Sequence, residues 1–223
     1  MYRLEYRTSK YFGEFFLMNE ITLELKRPFG PCILEVTCPK NLIENINHLI
    51  DNMSDEELEK CSSRYTQNPK FPNLLNRGFE IIYFLKEHVN ELRLEEFILQ
   101  MSKEYLHCLG RDSSSVYMPN PVWSNEHSDI WVNRYFRGDI TPPHGHAHYI
   151  SGVIILKLPE NIPEDMDLGE RPDRSLEFNH NDEYYLPAQE VGKMYLFPSC
   201  LRHWVHFHMS DEERRTISFN VGT

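Results

Sequence analysis

The chain has 223 residues and a formal net charge of −11, from 23 Lys and Arg against 34 Asp and Glu. With 40% hydrophobic and 13% aromatic residues it carries enough apolar area for a folded core, which excludes a disordered chain. The acid excess argues against a broad nucleic-acid surface, which needs surplus Lys and Arg, but leaves a local basic cleft open.

The opening Met1-Tyr-Arg-Leu-Glu-Tyr-Arg places charges where a signal peptide has its apolar stretch. The longest apolar run, Gly152 to Leu156, stops at Lys157, far short of the ~18–20 residues of a membrane span. The expected address is therefore cytoplasmic or intracellular, with no membrane partner. Ile21-Thr-Leu-Glu-Leu alternates as a strand, Arg27-Pro-Phe-Gly-Pro reads as a turn, and Cys32-Ile-Leu-Glu-Val-Thr reads as a second strand. From Asn41 the spacing of Leu42, Ile43, Ile46 and Ile50 predicts a helix, and Ser54-Asp-Glu-Glu57 is a capping box that opens another. Leu74 to Leu109 reads as mostly helical, through Ile81, Leu85, Val89, Leu92 and Phe97, with Gly110 as its C-cap.

After Trp123 the pattern changes to strands. Ile130 to Phe136 alternates, placing Trp131, Asn133 and Tyr135 on one face and Val132, Arg134 and Phe136 on the other. Gly138-Asp and Pro142-Pro143 read as breakers, Tyr149 to Leu158 as the strongest strand, and 159–174 as a long surface loop. Further strands are expected at Leu176-Glu-Phe, Met194 to Phe197, Trp204 to His208 and Thr216 to Val221. Helices thus pack beside a β-rich C-terminal half in one compact unit. Five scattered cysteines (Cys32, Cys38, Cys61, Cys108, Cys200) form no Cys-x-x-Cys pair, so they read as buried thiols in a reducing compartment.

Histidines carry the chemistry. His144, His146 and His148 alternate between a Pro-Pro turn and a strand, and i, i+2 positions on a strand face one way. Neutral imidazoles suit a divalent transition metal, with a distant third ligand completing the site. His206 and His208 also alternate but lack that setting. Ten residues lie between His203 and Arg214, which opens a period-2 face with Thr216, Ser218 and Asn220. Such a polar face is costly to bury unless it meets partners or a ligand, and a guanidinium suits a carboxylate. Arg215, pointing the other way, reads as a solvated surface charge.

The ordered set Trp131, Asn133, Tyr135, Gly138, Pro142, His144, His146, Ser151, Gly192, Phe197, Pro198, Ser199, His203, Arg214, Thr216 and Asn220 resembles the iron(II)/2-oxoglutarate dioxygenase superfamily. More narrowly, it resembles the small oxygenases of tailed phages and marine microbes, which would place a phage-encoded protein in its host's cytoplasm. The resemblance implies a mainly β, α+β chain: residues 1–119 as strand- and helix-rich support, and 120–223 as a double-stranded β-helix, a cupin-like jelly roll. It implies Fe(II), 2-oxoglutarate and O2 as cofactor and cosubstrates, with His144, His146 and His203 as metal ligands. Arg214 and Thr216 would hold the remote carboxylate of 2-oxoglutarate, with Asn133, Tyr135 and Ser151 in the same pocket or behind it. Hydroxylation of a peptide, amino acid or small metabolite, with release of succinate and CO2, is the implied reaction.

One departure matters. His146 stands where the superfamily usually has a carboxylate, so the ligand set is neutral. A three-histidine cupin-like dioxygenase that does not use 2-oxoglutarate, a pair shifted to His146 and His148, a contribution from Asp139, and a non-catalytic metal-binding jelly roll all remain open. Trp131, Tyr135, Phe197 and Trp204 are expected either as pocket walls or as ordinary core.

Overall fold

The computed structural model describes residues 2–6, 21–64, 80–119, 127–160 and 176–223. The N-terminal part supplies β1 (Tyr2–Tyr6), β2 (Ile21–Lys26), β3 (Ile33–Thr37), α1 (Lys40–Asp51), α2 (Asp55–Cys61), β4 (Ser62–Arg64), β5 (Glu80–Leu85), α3 (Lys86–Glu91) and α4 (Leu94–Cys108). Then follow β6 (His127–Tyr135), β7 (Thr141–His144), β8 (Ile150–Lys157), β9 (Leu176–His180), β10 (Glu183–Tyr185), β11 (Lys193–Pro198), β12 (Arg202–Val205) and β13 (Arg214–Val221).

The predicted first helix forms as α1, burying Leu42, Ile43, Ile46 and Ile50. The capping box forms as well: Glu57 accepts from the Ser54 N–H and hydroxyl, and the Glu57 N–H donates back to the Ser54 Oγ. Gly110, at φ +65°, ends α4. Beyond it the Arg111 N–H donates to the Leu106 carbonyl and the Gly110 N–H to that of His107, which satisfies the last-turn acceptors.

The described strands make two sheets. The larger has the order β1-β2-β3-β11-β8-β13-β6-β5-β4, and the smaller β10-β9-β12-β7. From β6 onward the chain alternates between them, β9 and β10 staying together in the smaller sheet. That is the winding of a double-stranded β-helix. Its two layers enclose Ile33, Val153, Ile155, Leu176, Phe178, Tyr195 and Phe197. The outer face of the large sheet packs Val132, Ile154, Ile217 and Phe219 with α1 and α4, through residues such as Ile46, Phe97 and Met101. Gly152 is required in β8, because a Cβ there would lie 2.1 Å from the Phe219 ring.

Five expectations change. The stretch read as helical after Leu74 begins, where described, with strand β5. Its Glu-Ile-Ile-Tyr-Phe-Leu run is rich in β-branched and aromatic residues and pairs with both β4 and β6. Pro142 and Pro143 do not break the chain; they lie within β7, an edge strand, where a missing N–H costs little. The strand expected over Trp204 to His208 runs from Arg202 to Val205, so His206 and His208 lie beyond it. All five cysteines are free, but Cys32 and Cys108 are only half-buried and Cys200 is exposed. The 159–174 loop lies outside the described residues from position 161.

Arg215 is the fifth. It is 1% exposed, not solvated, because α1 covers the back of β13. Its guanidinium donates to Glu213 at 2.8 and 2.9 Å, Asp51 at 2.6 Å and Asn47 at 3.1 Å, and Arg134 donates to Glu213 at 2.6 Å. Burial alone would raise the Glu213 carboxyl, but the hydrogen bonds from Arg215 and Arg134 hold it down to about 2. A carboxyl depressed in the folded state contributes stability that is complete above its unfolded value and lost as pH falls toward its folded one. Urea unfolding is therefore expected to show stability falling between about pH 5 and pH 2, with this group contributing on the order of 2 kcal/mol. Glu213→Gln should flatten that part of the pH curve.

Candidate metal centre and cosubstrate pocket

The small sheet brings the distant histidines together. His203 on β12 pairs directly with His144 at the end of β7, and their ring centroids lie 4.3 Å apart. His146 follows in the bend between β7 and β8, held by its N–H to the Ser199 carbonyl at 2.8 Å. Its ring centroid is 4.9 Å from that of His144 and 5.2 Å from that of His203. One potential ligand atom from each of the three lies within 4.8 Å of the others.

Two of the rings have a fixed tautomer. Nδ1 of His144 is 2.9 Å from the Pro142 carbonyl, and Nδ1 of His203 is 2.9 Å from that of Leu201. A carbonyl only accepts, so each Nδ1 carries the proton and each Nε2 keeps its lone pair. Burial first, then the proximity of the other imidazoles, lowers His146 to about 4 and His203 to about 3. His144 is lowered too, chiefly by burial. Three neutral imidazoles with converging nitrogens fit a divalent transition metal.

His148 stands outside this group; its Nε2 is 3.9 Å from Asp129 Oδ2. Asp139 is also outside it and caps its own turn, accepting the Phe136 N–H at 2.8 Å beside Gly138 at φ +89°. His206 sits against Glu177 and accepts from Trp204 Nε1 at 2.9 Å, while His208 bonds the Glu212 carbonyl at 2.6 Å.

A polar row runs along the inner face of β13 and β6. Arg214, 2% exposed, lies over the Tyr135 ring at 5.2 Å and pairs with it in register. The Tyr135 hydroxyl shares a 2.8 Å hydrogen bond with Thr141. Asn133 lies 3.5 Å from the Thr216 hydroxyl and donates to Ser218 at 2.8 Å. Ser151 is at the other end of the row, where it donates to Asn220 at 2.7 Å and meets Ser199 at 2.8 Å. It thus braces the turn whose carbonyl holds His146.

Of the expected walls, Phe197 packs on His203 at 4.8 Å and Trp131 faces His146 at 6.3 Å. Trp204 does not line the pocket: alternation turns it away from His203, and it meets Tyr184 and His206. Two site residues escaped sequence reasoning. Phe178, 6.3 Å from His203, was signalled only by its place in a short strand. Asp129 shares the inner face of β6, a placement that extending the Trp131, Asn133, Tyr135 alternation two residues back would have shown.

The barrel, its helical backing and the histidine cluster define the class by fold: a double-stranded β-helix with a candidate metal site. Residues 129–220, which run from β6 to β13, match the model of a family described as "Putative 2OG-Fe(II) oxygenase". Solved structures resemble the chain in fold. A prolyl hydroxylase from Trichoplax adhaerens, in complex with a hypoxia inducible factor oxygen degradation domain peptide, gives a TM-score of 0.57 at 13% identity, covering 86% of this chain and 83% of that one. A Pseudomonas putida prolyl-4-hydroxylase gives 0.53 at 13% identity, over 82% and 89%. HygX from Streptomyces hygroscopicus, with nickel and 2-oxoglutarate bound, gives 0.51 at 10% identity, over 85% and 81%. No match was found among curated proteins. Among the described residues no helix is long and apolar enough to cross a membrane.

Proposed function

We propose that the chain is an iron(II)- and 2-oxoglutarate-dependent dioxygenase that hydroxylates a peptide, amino acid or small metabolite. The observation that carries this reading is one barrel holding both a three-histidine cluster and a buried arginine on a facing polar strand. His144, His146 and His203 would hold the iron, whose bound form supplies the redox centre for oxidative decarboxylation of 2-oxoglutarate by O2, giving succinate and CO2. Arg214 would receive the remote carboxylate through two parallel donors, with Thr216 beside it. Stacking over Tyr135 fixes the guanidinium plane, and the Tyr135–Thr141 bond fixes Tyr135. Phe178 and Phe197 keep water from the rear of the cluster.

A second reading has its own observation. The donor set contains no carboxylate, so the metal would keep an extra positive charge, as in a three-histidine cupin-like dioxygenase that binds substrate directly. Arg214 favours the first reading, because a direct-binding site has no use for a buried guanidinium at the far end of its polar row. The deciding experiment supplies Fe(II), 2-oxoglutarate and O2 and measures succinate. Succinate formation that stops on omitting 2-oxoglutarate or Fe(II) is expected. Metal binding without any binding of 2-oxoglutarate would overturn the reading.

A further inference from the structure

The inner row of β6 continues past Trp131 to Asp129, a residue the proposed reaction does not use. Asp129 is 6% exposed. One side of its carboxyl takes a hydrogen bond from Asn220. Its Oδ2 accepts none among the described residues, and His148 Nε2, at 3.9 Å, is beyond hydrogen-bond reach. A carboxylate so buried is costly unless a donor or cation reaches it, and burial accordingly raises its pKa.

Its position narrows what that donor is. Asp129 lies six residues along β6 from Tyr135, roughly 20 Å at strand rise. A cosubstrate anchored on Arg214, beside Tyr135, therefore ends well short of it. The side chains next to it are Trp131, which faces His146, and His148, two residues beyond that proposed ligand. Asp129 thus belongs to the part of the barrel left for the substrate. The chain's net charge of −11 adds a field that draws cations toward its clefts.

We propose that Asp129 is a specificity-determining residue that recognises a cationic nitrogen, ammonium or guanidinium, on the substrate. This rests on the oxygenase reading, whose substrate class it names. The test titrates the full chain, loaded with Mn(II) and N-oxalylglycine, with Nα-acetyl-lysine amide and Nα-acetyl-arginine amide. The neutral counterparts are the Nε-acetylated lysine derivative and the citrulline derivative. Binding is read by saturation-transfer NMR, for the wild type and for Asp129→Asn.

The cationic probes are expected to bind the wild type at least about tenfold more tightly than the neutral ones, a difference of about 1.4 kcal/mol. In Asp129→Asn that preference should vanish, with Mn(II) affinity unchanged. Equal binding of both kinds, no binding of the cationic probes at about 10 mM, or a preference that survives in Asp129→Asn would each overturn the proposal. So would a tenfold loss of Mn(II) affinity in that variant, which would make Asp129 a metal ligand. The wild-type comparison decides even where Asp129→Asn fails to fold. Repeating it on metal-free chain separates this proposal from the oxygenase reading, which fails independently when Mn(II) and 2-oxoglutarate do not bind.

Discussion

Replacing His203 by alanine is expected to lower Mn(II) or Fe(II) affinity by more than about 100-fold, beyond the 10–100-fold that losing an outer partner of a ligand costs, and to abolish succinate formation. His203 is the member of the cluster that comes from a different part of the chain. Its strand pairing with His144 sets the spacing of the rings, and its Nδ1 bond to Leu201 aims Nε2 into the site. Without it two neutral imidazoles remain, too few to fix a labile divalent ion. The side chain is also buried between Phe178 and Phe197, so truncation leaves a cavity and some loss of stability. Thermal unfolding with and without Mn(II) separates the two effects. The wild type should gain stability with metal, as binding to the folded state alone requires, and His203→Ala should show no such gain whatever its baseline. An undiminished metal-induced shift would remove His203 from the ligand set.

Arg214→Ala is expected to raise the dissociation constant for 2-oxoglutarate by about 30-fold or more, since truncating one partner of a buried charge pair costs about 2–5 kcal/mol. Mn(II) affinity should change by less than about twofold, because Arg214 lies on β13, outside the histidine cluster. Arg214→Lys should fall between the two: it keeps the charge but loses the parallel donors and the flat face that lies over Tyr135. Titration of 2-oxoglutarate into Mn(II)-loaded protein reads this directly. Equal affinities in all three proteins would show that the guanidinium serves the fold and not the cosubstrate.

The difference between what the sequence revealed and what it hid follows from how locally each feature is determined. Alternation along β6 and β13 needs only the period of a strand, so the sequence places Asn133 with Tyr135 on one face of the first and Arg214 with Thr216 on one face of the second, and the strand pairing joins the two. The Ser54–Glu57 cap is equally local. Arg215 shows the opposite situation. Which side of a strand is wet depends on what covers it, and Asn47 and Asp51 approach from α1, 164 or more residues away. Ile81 and Leu85 fall at a helical spacing with Val89 and Leu92, yet pairing to β4 and β6 places them in a strand. The histidine spacing suggested a shared metal but left two possible pairs. Only the bend after β7, tied to Ser199, directs His146 rather than His148 to His144 and His203.

The two prolines of β7 have a consequence for access. Among the described residues this strand forms one outer margin of the small sheet, and a strand margin ordinarily offers amide hydrogens on which another polypeptide can zip. Pro142 and Pro143 have no such hydrogens, so an incoming chain finds no ladder to extend alongside His144. The same pair gives a second copy of the chain little to pair with along that margin, which works against self-association.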